Sequence, residues 1–432
     1  MKYKAIRGTR DILPETVNRW QHLEKVAREM FEKYGYEEVR TPIFEVTELF
    51  QRSFGEDTDI VTKEMYTFLD KKGRNLCLRP EGTAGVIRAV IENNLYRQSR
   101  LVRLYYLGSM YRYERPQKGR QREFYQIGAE LIGGDSPASD IEIITLVWEF
   151  FDALGLRNLA LYLNSVGCPR CRIGYRESLK GYFQDKIKMM CADCQRRYSL
   201  NPMRILDCKE EEDRRQIKKA PKISDYLCQE CREQLEKVKD YLDFLGIHYS
   251  LDPYMVRGLD YYTKATFEVK YGGLGAQDTL AAGGRYDRLV HDLGGPDLPA
   301  VGFALGVERV LEAMKKEEIT LPSTDQLDVY VAALGEAALR ESLKIIRELR
   351  HENLKVLNDF DPGSLKAQLR QADKLKARFT LIIGPEELSR KTAIVRNMKT
   401  GGQEIVPFSE LKDHLLKKCS SGSGSREQSG GR

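Results

Sequence analysis

The chain has 432 residues, 41% hydrophobic and 31% charged, with a formal net charge of +6, which is the profile of an ordinary globular protein and not of a fibrous or disordered one. No apolar run approaches the roughly 20 residues of a membrane-spanning helix, and Met1–Arg10 has no apolar secretory segment, so a cytoplasmic protein without membrane contact is expected. The length suggests two or three domains, and the mild basic bias permits a polyanionic partner without requiring one.

Apolar residues at three- and four-residue spacing (Trp20, Leu23, Val26, Ala27, Met30, Phe31, Tyr34) predict an amphipathic helix over 15–34. Tyr36–Val46 follows as an extended segment, and Pro42 within it points to a sheet edge or an interface. Leu78-Arg79-Pro80-Glu81-Gly82-Thr83 leads at once into a predicted helix, Ala84–Asn93. Glu81 and Thr83 thus sit at a strand-to-helix turn, where a carboxylate either holds an ammonium group or simply complements the helix dipole.

The stretch from Arg112 to Glu130 is the most informative one. Strands over Tyr105–Glu114 and Glu123–Ile132 are predicted, joined by a loop with Lys118, Arg120 and Arg122. Strand alternation puts Arg112 and Glu114 on one face of the first strand, and Phe124, Gln126, Gly128 and Glu130 on one face of the second, so that together they make one surface. Such a surface suits a nucleotide: arginine for phosphate, phenylalanine for a base, glutamate for an exocyclic amine.

A helix near 139–154 and a strand at 159–164 come next, and then residues 168–235 change texture. They are dense in Cys, Lys, Arg and Glu and read as a helical insertion. Strand patterns return at 265–271 and 300–305. Between and around them lie Arg257-Gly258-Leu259-Asp260-Tyr261-Tyr262-Thr263, Ala281–Asp287 with its Gly283-Gly284 pair, and Ala300–Arg309. A Gly-Gly pair is by default a tight turn, and a lone Arg309 is by default a surface ion-pair partner. From Leu327 the alternation of strands (327–334, 355–359, 379–384, 392–398, 404–408) with helices (336–352, 364–376, 409–418) implies a compact α/β domain with a mostly parallel sheet. The residues from 419 onward read as a disordered tail.

In chain order, Gly35–Phe44 resembles motif 1 of the class II aminoacyl-tRNA synthetases, Arg112–Glu130 motif 2, and Ala300–Arg309 motif 3. Arg257–Thr263 and Ala281–Asp287 resemble two segments peculiar to the bacterial-type histidyl enzymes. The resemblance runs from Arg7 to about Lys418. It implies an α+β catalytic domain on an antiparallel sheet (1–325), a Cys-rich helical insertion (166–236) and an α/β anticodon-binding domain (326–418), before the tail (419–432). It further implies a histidine–tRNA ligase that makes histidyl-adenylate from L-histidine, ATP and Mg²⁺ and transfers histidine to tRNA(His), acting as a homodimer through motif 1. Arg257 and Arg112 would be catalytic. Glu81, Gly82, Thr83, Arg112, Gln126, Glu130, Arg257, Tyr261 and Tyr262 would bind histidine. Arg112, Glu114, Arg120, Phe124 and Arg309 would bind ATP, and the loop 115–122 would touch the tRNA acceptor end. The alternative is a catalytically silent, synthetase-like regulatory subunit of ATP phosphoribosyltransferase. Such proteins usually lack the anticodon domain.

Seven of the nine cysteines fall between Cys168 and Cys231. They form Cys168-Pro-Arg-Cys171, Cys191-Ala-Asp-Cys194 and Cys228-Gln-Glu-Cys231, plus Cys208. In a reducing compartment such spacing suits tetrahedral zinc, with incidental thiols as the other reading. Zinc is not a general requirement of the resembled family. Cys168 and Cys171 with Cys228 and Cys231 are the expected ligands of a structural Zn²⁺.

Overall fold

The computed structural model describes residues 3–55, 58–114, 120–275, 278–321, 327–360 and 363–420. The chain divides into two compact units, Met1–Leu321 and Pro322–Arg432.

The first unit is built on an eight-stranded sheet. Its order is Glu37–Glu38, Val102–Tyr111, Glu123–Ile132, Ala300–Gly306, Thr279–Arg285, Thr263–Tyr271, Leu159–Ser165 and Tyr249–Leu251. All interior pairs are antiparallel, and only the two edge pairs are parallel. The strand period of two separates the faces cleanly. Ile127, Ala129 and Leu131, with Val301, Phe303 and Leu305 and with Ala265, Phe267 and Val269, point into one core. The helices Pro14–Lys33, Pro137–Ala153 and Val307–Lys316 cover that face with Leu23, Phe31, Ile144, Phe150 and Val310. Each such side chain removed from water contributes about 1.5–3 kcal/mol. Phe124, Gln126, Gly128 and Glu130 therefore share the opposite face, which stays open enough to hold a cavity.

The segment Tyr36–Val46 splits in two. Glu37–Glu38 pairs at the edge of the large sheet. Phe44–Val46 is an edge of a separate three-stranded sheet with Asn75–Leu78 and Thr67–Leu69. Both positions are edges, where a proline's missing donor costs no ladder bond. Ala281–Arg285 is not a turn but part of the strand Thr279–Arg285. A Cβ at Gly283 would lie 2.3 Å from the Gly302 carbonyl oxygen and 2.7 Å from Phe267, so these glycines serve close strand packing.

Residues of the insertion form helices Pro169–Phe183, Ala192–Leu200, Glu211–Ile217 and Gln229–Phe244 around their own apolar cluster, which includes Tyr175, Leu179, Phe183 and Ile205.

The second unit carries a five-stranded sheet ordered Val356–Asn358, Val329–Ala333, Phe379–Ile383, Thr392–Asn397 and Gln403–Pro407. The sheet is mixed and not mostly parallel. The first three strands are parallel, and the last two pairings are antiparallel, because Thr392–Asn397 alone runs in the opposite direction. The reason is connection length. Helices Glu336–His351 and Leu365–Lys374 give room for parallel crossovers, whereas only Pro385–Arg390 and a short turn separate the later strands. Its last helix, Leu411–Ser420, takes in Cys419 and Ser420. The rest of the expected tail, 421–432, lies outside the described residues. No helix among the described residues is long and apolar enough to cross a membrane.

Candidate active site

A cavity of about 1200 Å³ opens on the polar face of the large sheet. Its wall collects Glu81, Thr83, Arg112, Glu114, Arg120, Phe124, Gln126, Arg257, Tyr261, Tyr262 and Arg309. These residues lie far apart in the sequence, and the strands of the large sheet with the turns and helices that flank them bring them together.

One end is aromatic and acidic. Tyr261 and Tyr262 pack at 4.7 Å between ring centroids, and Tyr286 meets Tyr261 edge-on at 5.5 Å. Glu81 lies just before the helix Thr83–Glu92, and its two oxygens accept from the Thr83 and Ala84 amides at 2.7 and 2.8 Å. Both readings of this carboxylate thus hold in geometry: it complements the helix N-terminus and also faces the cavity. Burial raises its pKa, partly countered by those amides.

Two expected residues are not on the wall. Glu130 is fully buried behind it, where it accepts from Thr83 Oγ1 at 2.6 Å and from the Tyr286 hydroxyl. Gly82 is the point where the turn passes the Tyr106 ring: a Cβ there would sit 2.2 Å from that ring.

The other end is cationic. Arg112 donates from Nε to the Pro80 carbonyl at 2.9 Å, and its guanidinium lies 5.3 Å from the Phe124 ring centroid. Arg120 pairs with Glu114 at 3.3 Å, and Arg309 Nη1 donates to the Thr279 carbonyl at 3.0 Å. Burial, with Arg120 and Arg112 close by, lowers the Arg309 pKa. Several guanidinium groups converging on one cleft favour an anion there. Arg257 lies on the same wall, ion-paired to Glu268 and 5.5 Å from the Tyr262 ring centroid. Among the described residues, Gln126 Oε1 and Arg257 Nε are buried polar atoms without a hydrogen-bond partner, positions a polar ligand would satisfy. The remainder of the basic loop, 115–119, lies outside the described residues.

Sequence reasoning misses Glu268 and Tyr106, and it reaches Tyr286 only as part of the Ala281–Asp287 segment. Glu268 has a usable signal: it is a charged residue alternating with Phe267 and Val269 in one strand, hence on the non-core face. Tyr106 has none, since a tyrosine in a strand reads as core.

The insertion brings its seven cysteines into two groups. Cys168, Cys171, Cys228 and Cys231 form one, with their Sγ atoms all within 4.8 Å of one another. Cys191, Cys194 and Cys208 gather with Asp213 in the other.

The family model of histidyl-tRNA synthetase matches residues 8–310, and that of an anticodon binding domain matches residues 328–418. The histidine–tRNA ligase of Halothermothrix orenii is 48% identical over 417 residues, covering 96% of this chain and 100% of that protein. The histidine–tRNA ligase of Thermosipho melanesiensis is 50% identical over 401 residues, covering 93% and 95%. The crystal structure of apo histidyl-tRNA synthetase from S. aureus superposes with a TM-score of 0.80 at 40% identity, over 96% of this chain and 99% of that one.

Proposed function

This chain belongs to the histidyl-tRNA synthetase family, and from that premise we propose how its residues divide the work of a histidine–tRNA ligase. The reaction joins L-histidine to ATP as histidyl-adenylate, releases pyrophosphate, and passes histidine to the 3′ end of tRNA(His). The silent regulatory reading gives way to relatives that are ligases over nearly the full length.

The observation that carries the assignment is one cavity with an aromatic, acidic end and a cationic end. Histidine occupies the first. Glu81 and Thr83 take its ammonium group, and Tyr261 and Tyr262 frame the imidazole, a phenol being able to donate or accept. Gln126 contributes its unpartnered oxygen, and Glu130 acts through Thr83. ATP occupies the second end. Phe124 stacks on the adenine, Glu114 and Arg120 hold the nucleotide, and Arg309 meets the γ-phosphate.

The histidine carboxylate attacks the α-phosphorus in line, with pyrophosphate leaving. Arg112 and Arg257 flank this point and neutralise the charge that builds on the α-phosphate oxygens. Their placement supplies most of the acceleration, since the step needs orientation and charge stabilisation and no covalent enzyme intermediate. Arg257 exchanges its Glu268 partner for substrate anions, so Glu268 positions it beforehand. Mg²⁺ bound with ATP would neutralise phosphate charge, and Glu114, Asp278 and Glu308 are among the carboxylates lining the cavity that could face it.

The second unit and the loop 115–122 engage the tRNA, with affinity that falls with salt. A homodimer forms through the Gly35–Phe44 region. Ile43, Phe44 and Val46, on and just before an edge strand, leave roughly half their surfaces exposed, and Phe68 and Leu69 are exposed on the other edge strand of the same three-stranded sheet; exposed apolar residues of this kind mark an interface. Cys168, Cys171, Cys228 and Cys231 hold a structural Zn²⁺. Their Sγ separations of 3.5 Å (Cys168 to Cys171) and 3.9 Å (Cys168 to Cys228) approach the roughly 3.8 Å edge of a tetrahedral zinc thiolate site.

Charging of a tRNA(His) transcript with labelled histidine tests the active-site assignment. Arg112→Ala lowers kcat/KM by about two to three orders of magnitude; an unchanged rate would remove Arg112 from the reaction.

A further inference from the structure

The first cysteine tetrad leaves Cys191, Cys194 and Cys208 without a role, and these three are not scattered. Cys191 sits at the N-terminal end of the helix Ala192–Leu200, Cys194 lies within its first turn, and Cys208 follows the turn Pro202–Asp207. Asp213, from the helix Glu211–Ile217, completes the group. The four ligand atoms lie within 4.8 Å of one another. Cys191 Sγ is 3.7 Å from Cys208 Sγ, and Cys208 Sγ is 3.2 Å from Asp213 Oδ2. Those are near the edges of a tetrahedron around a cation with bonds of about 2.3 Å to sulfur and about 2.1 Å to oxygen.

The charge balance points the same way. Asp213 is 4% exposed, yet among the described residues no Lys, Arg or His is paired with it. Its partners are the Cys191 amide at 3.1 Å and the Cys208 thiol. A buried carboxylate needs a compensating positive charge. Here the side chains around it are three thiols, which carry no positive charge themselves but are ligands for a metal ion that would supply it.

We propose that Cys191, Cys194, Cys208 and Asp213 form a second, structural zinc site, separate from the four-cysteine site. Three soft sulfur ligands select zinc over magnesium or calcium. With all four ligands from the protein, the site is closed and structural, not catalytic. Its place in the fold gives the metal a consequence. The helix and turn it pins send Arg197 to Asp59 at 3.0 Å, Asn201 to Asp260 at 3.3 Å and Arg204 to the Gly258 carbonyl at 2.7 Å. The second zinc therefore braces the Arg257–Tyr262 segment from its outer side.

Elemental analysis of the purified full-length protein tests this independently of the four-cysteine site. The expected content is two zinc per chain, falling to one in Cys194→Ser and to one in Cys171→Ser. A full complement of zinc in Cys194→Ser would overturn the proposal, as would a single zinc that Cys171→Ser abolishes. A single zinc retained in Cys171→Ser and lost in Cys194→Ser would support it while removing the four-cysteine site. Asp213→Asn preserves shape and removes the charge, so it serves where Cys194→Ser does not fold. It is expected to release one zinc at least tenfold faster to a chromogenic chelator, and release at the wild-type rate would overturn the carboxylate's place in the set.

Discussion

Thr83 Oγ1 donates a 2.6 Å hydrogen bond to Glu130 Oε1, joining a residue on the cavity wall to a carboxyl group sealed behind it. Burial pushes the Glu130 carboxyl up to about 8, against the lowering effect of the Thr83 and Tyr286 hydroxyls and with a further rise from Glu81. A carboxyl group whose pKa is raised in the folded state favours folding while protonated. Its contribution is fully present below the ordinary carboxylate range and is lost as pH rises through about 8. Melting temperature measured from pH 5 to pH 9 is therefore expected to fall more steeply for wild type than for Glu130→Gln, which has no proton to lose. Parallel curves would mean that Glu130 titrates as an ordinary acid.

Glycine at 302 is required by the same carboxyl group. A Cβ there would lie 1.8 Å from Glu130 Oε2 and 2.6 Å from the Ala129 carbonyl oxygen. Gly302→Ala is expected to destabilise by about 1–3 kcal/mol or more through overpacking, and to raise the histidine KM by displacing Thr83. Chemical denaturation and pyrophosphate exchange read the two effects separately.

Phe124 and Arg309 are expected to act on ATP and not on histidine. Phe124→Ala removes stacking worth about 1–3 kcal/mol per base, a rise in the ATP KM of roughly tenfold or more. Arg309→Ala is expected to raise the ATP KM likewise, with the histidine KM unchanged in both variants. An equal rise in both KM values would place these side chains in general support of the fold.

The edge strand Phe44–Val46 carries the dimer assignment. Phe44→Asp puts a charge on a side chain that is 56% exposed, so the isolated fold loses little. Sedimentation is expected to shift from dimer to monomer, with circular dichroism unchanged. A variant that stays dimeric would move the interface elsewhere.

Much of this site is legible in the amino-acid sequence. The alternation in Phe124-Tyr-Gln126-Ile-Gly128-Ala-Glu130 puts four residues on one face, and the sheet keeps them there, because strand geometry leaves no other choice. Arg112, Arg257 and Arg309 follow from motif order, and they do reach one wall. What strand alternation does not reveal is depth: it sets Glu130 on the correct face but not behind Thr83, since layer order depends on Tyr106 and Tyr286 arriving from elsewhere. The Gly283-Gly284 pair misleads for a related reason. Turn and close-packed strand both need glycine, and only the neighbours Gly302 and Phe267 decide between them. The sheet of the second unit is misread because strand patterns do not encode direction; the short link through Pro385–Arg390 holds that information. Among the cysteines, spacing alone suggests one metal, and only folding brings Asp213 to the other three thiols.

The most direct test of the central claim is ATP–pyrophosphate exchange with each of the twenty amino acids, run on wild type and on Arg257→Ala. Exchange is expected with histidine alone, and to fall by about two to three orders of magnitude in the variant. Exchange in Arg257→Ala at the wild-type rate would contradict the role of Arg257 at the α-phosphate, and silence of the wild type with every amino acid would contradict adenylate formation itself.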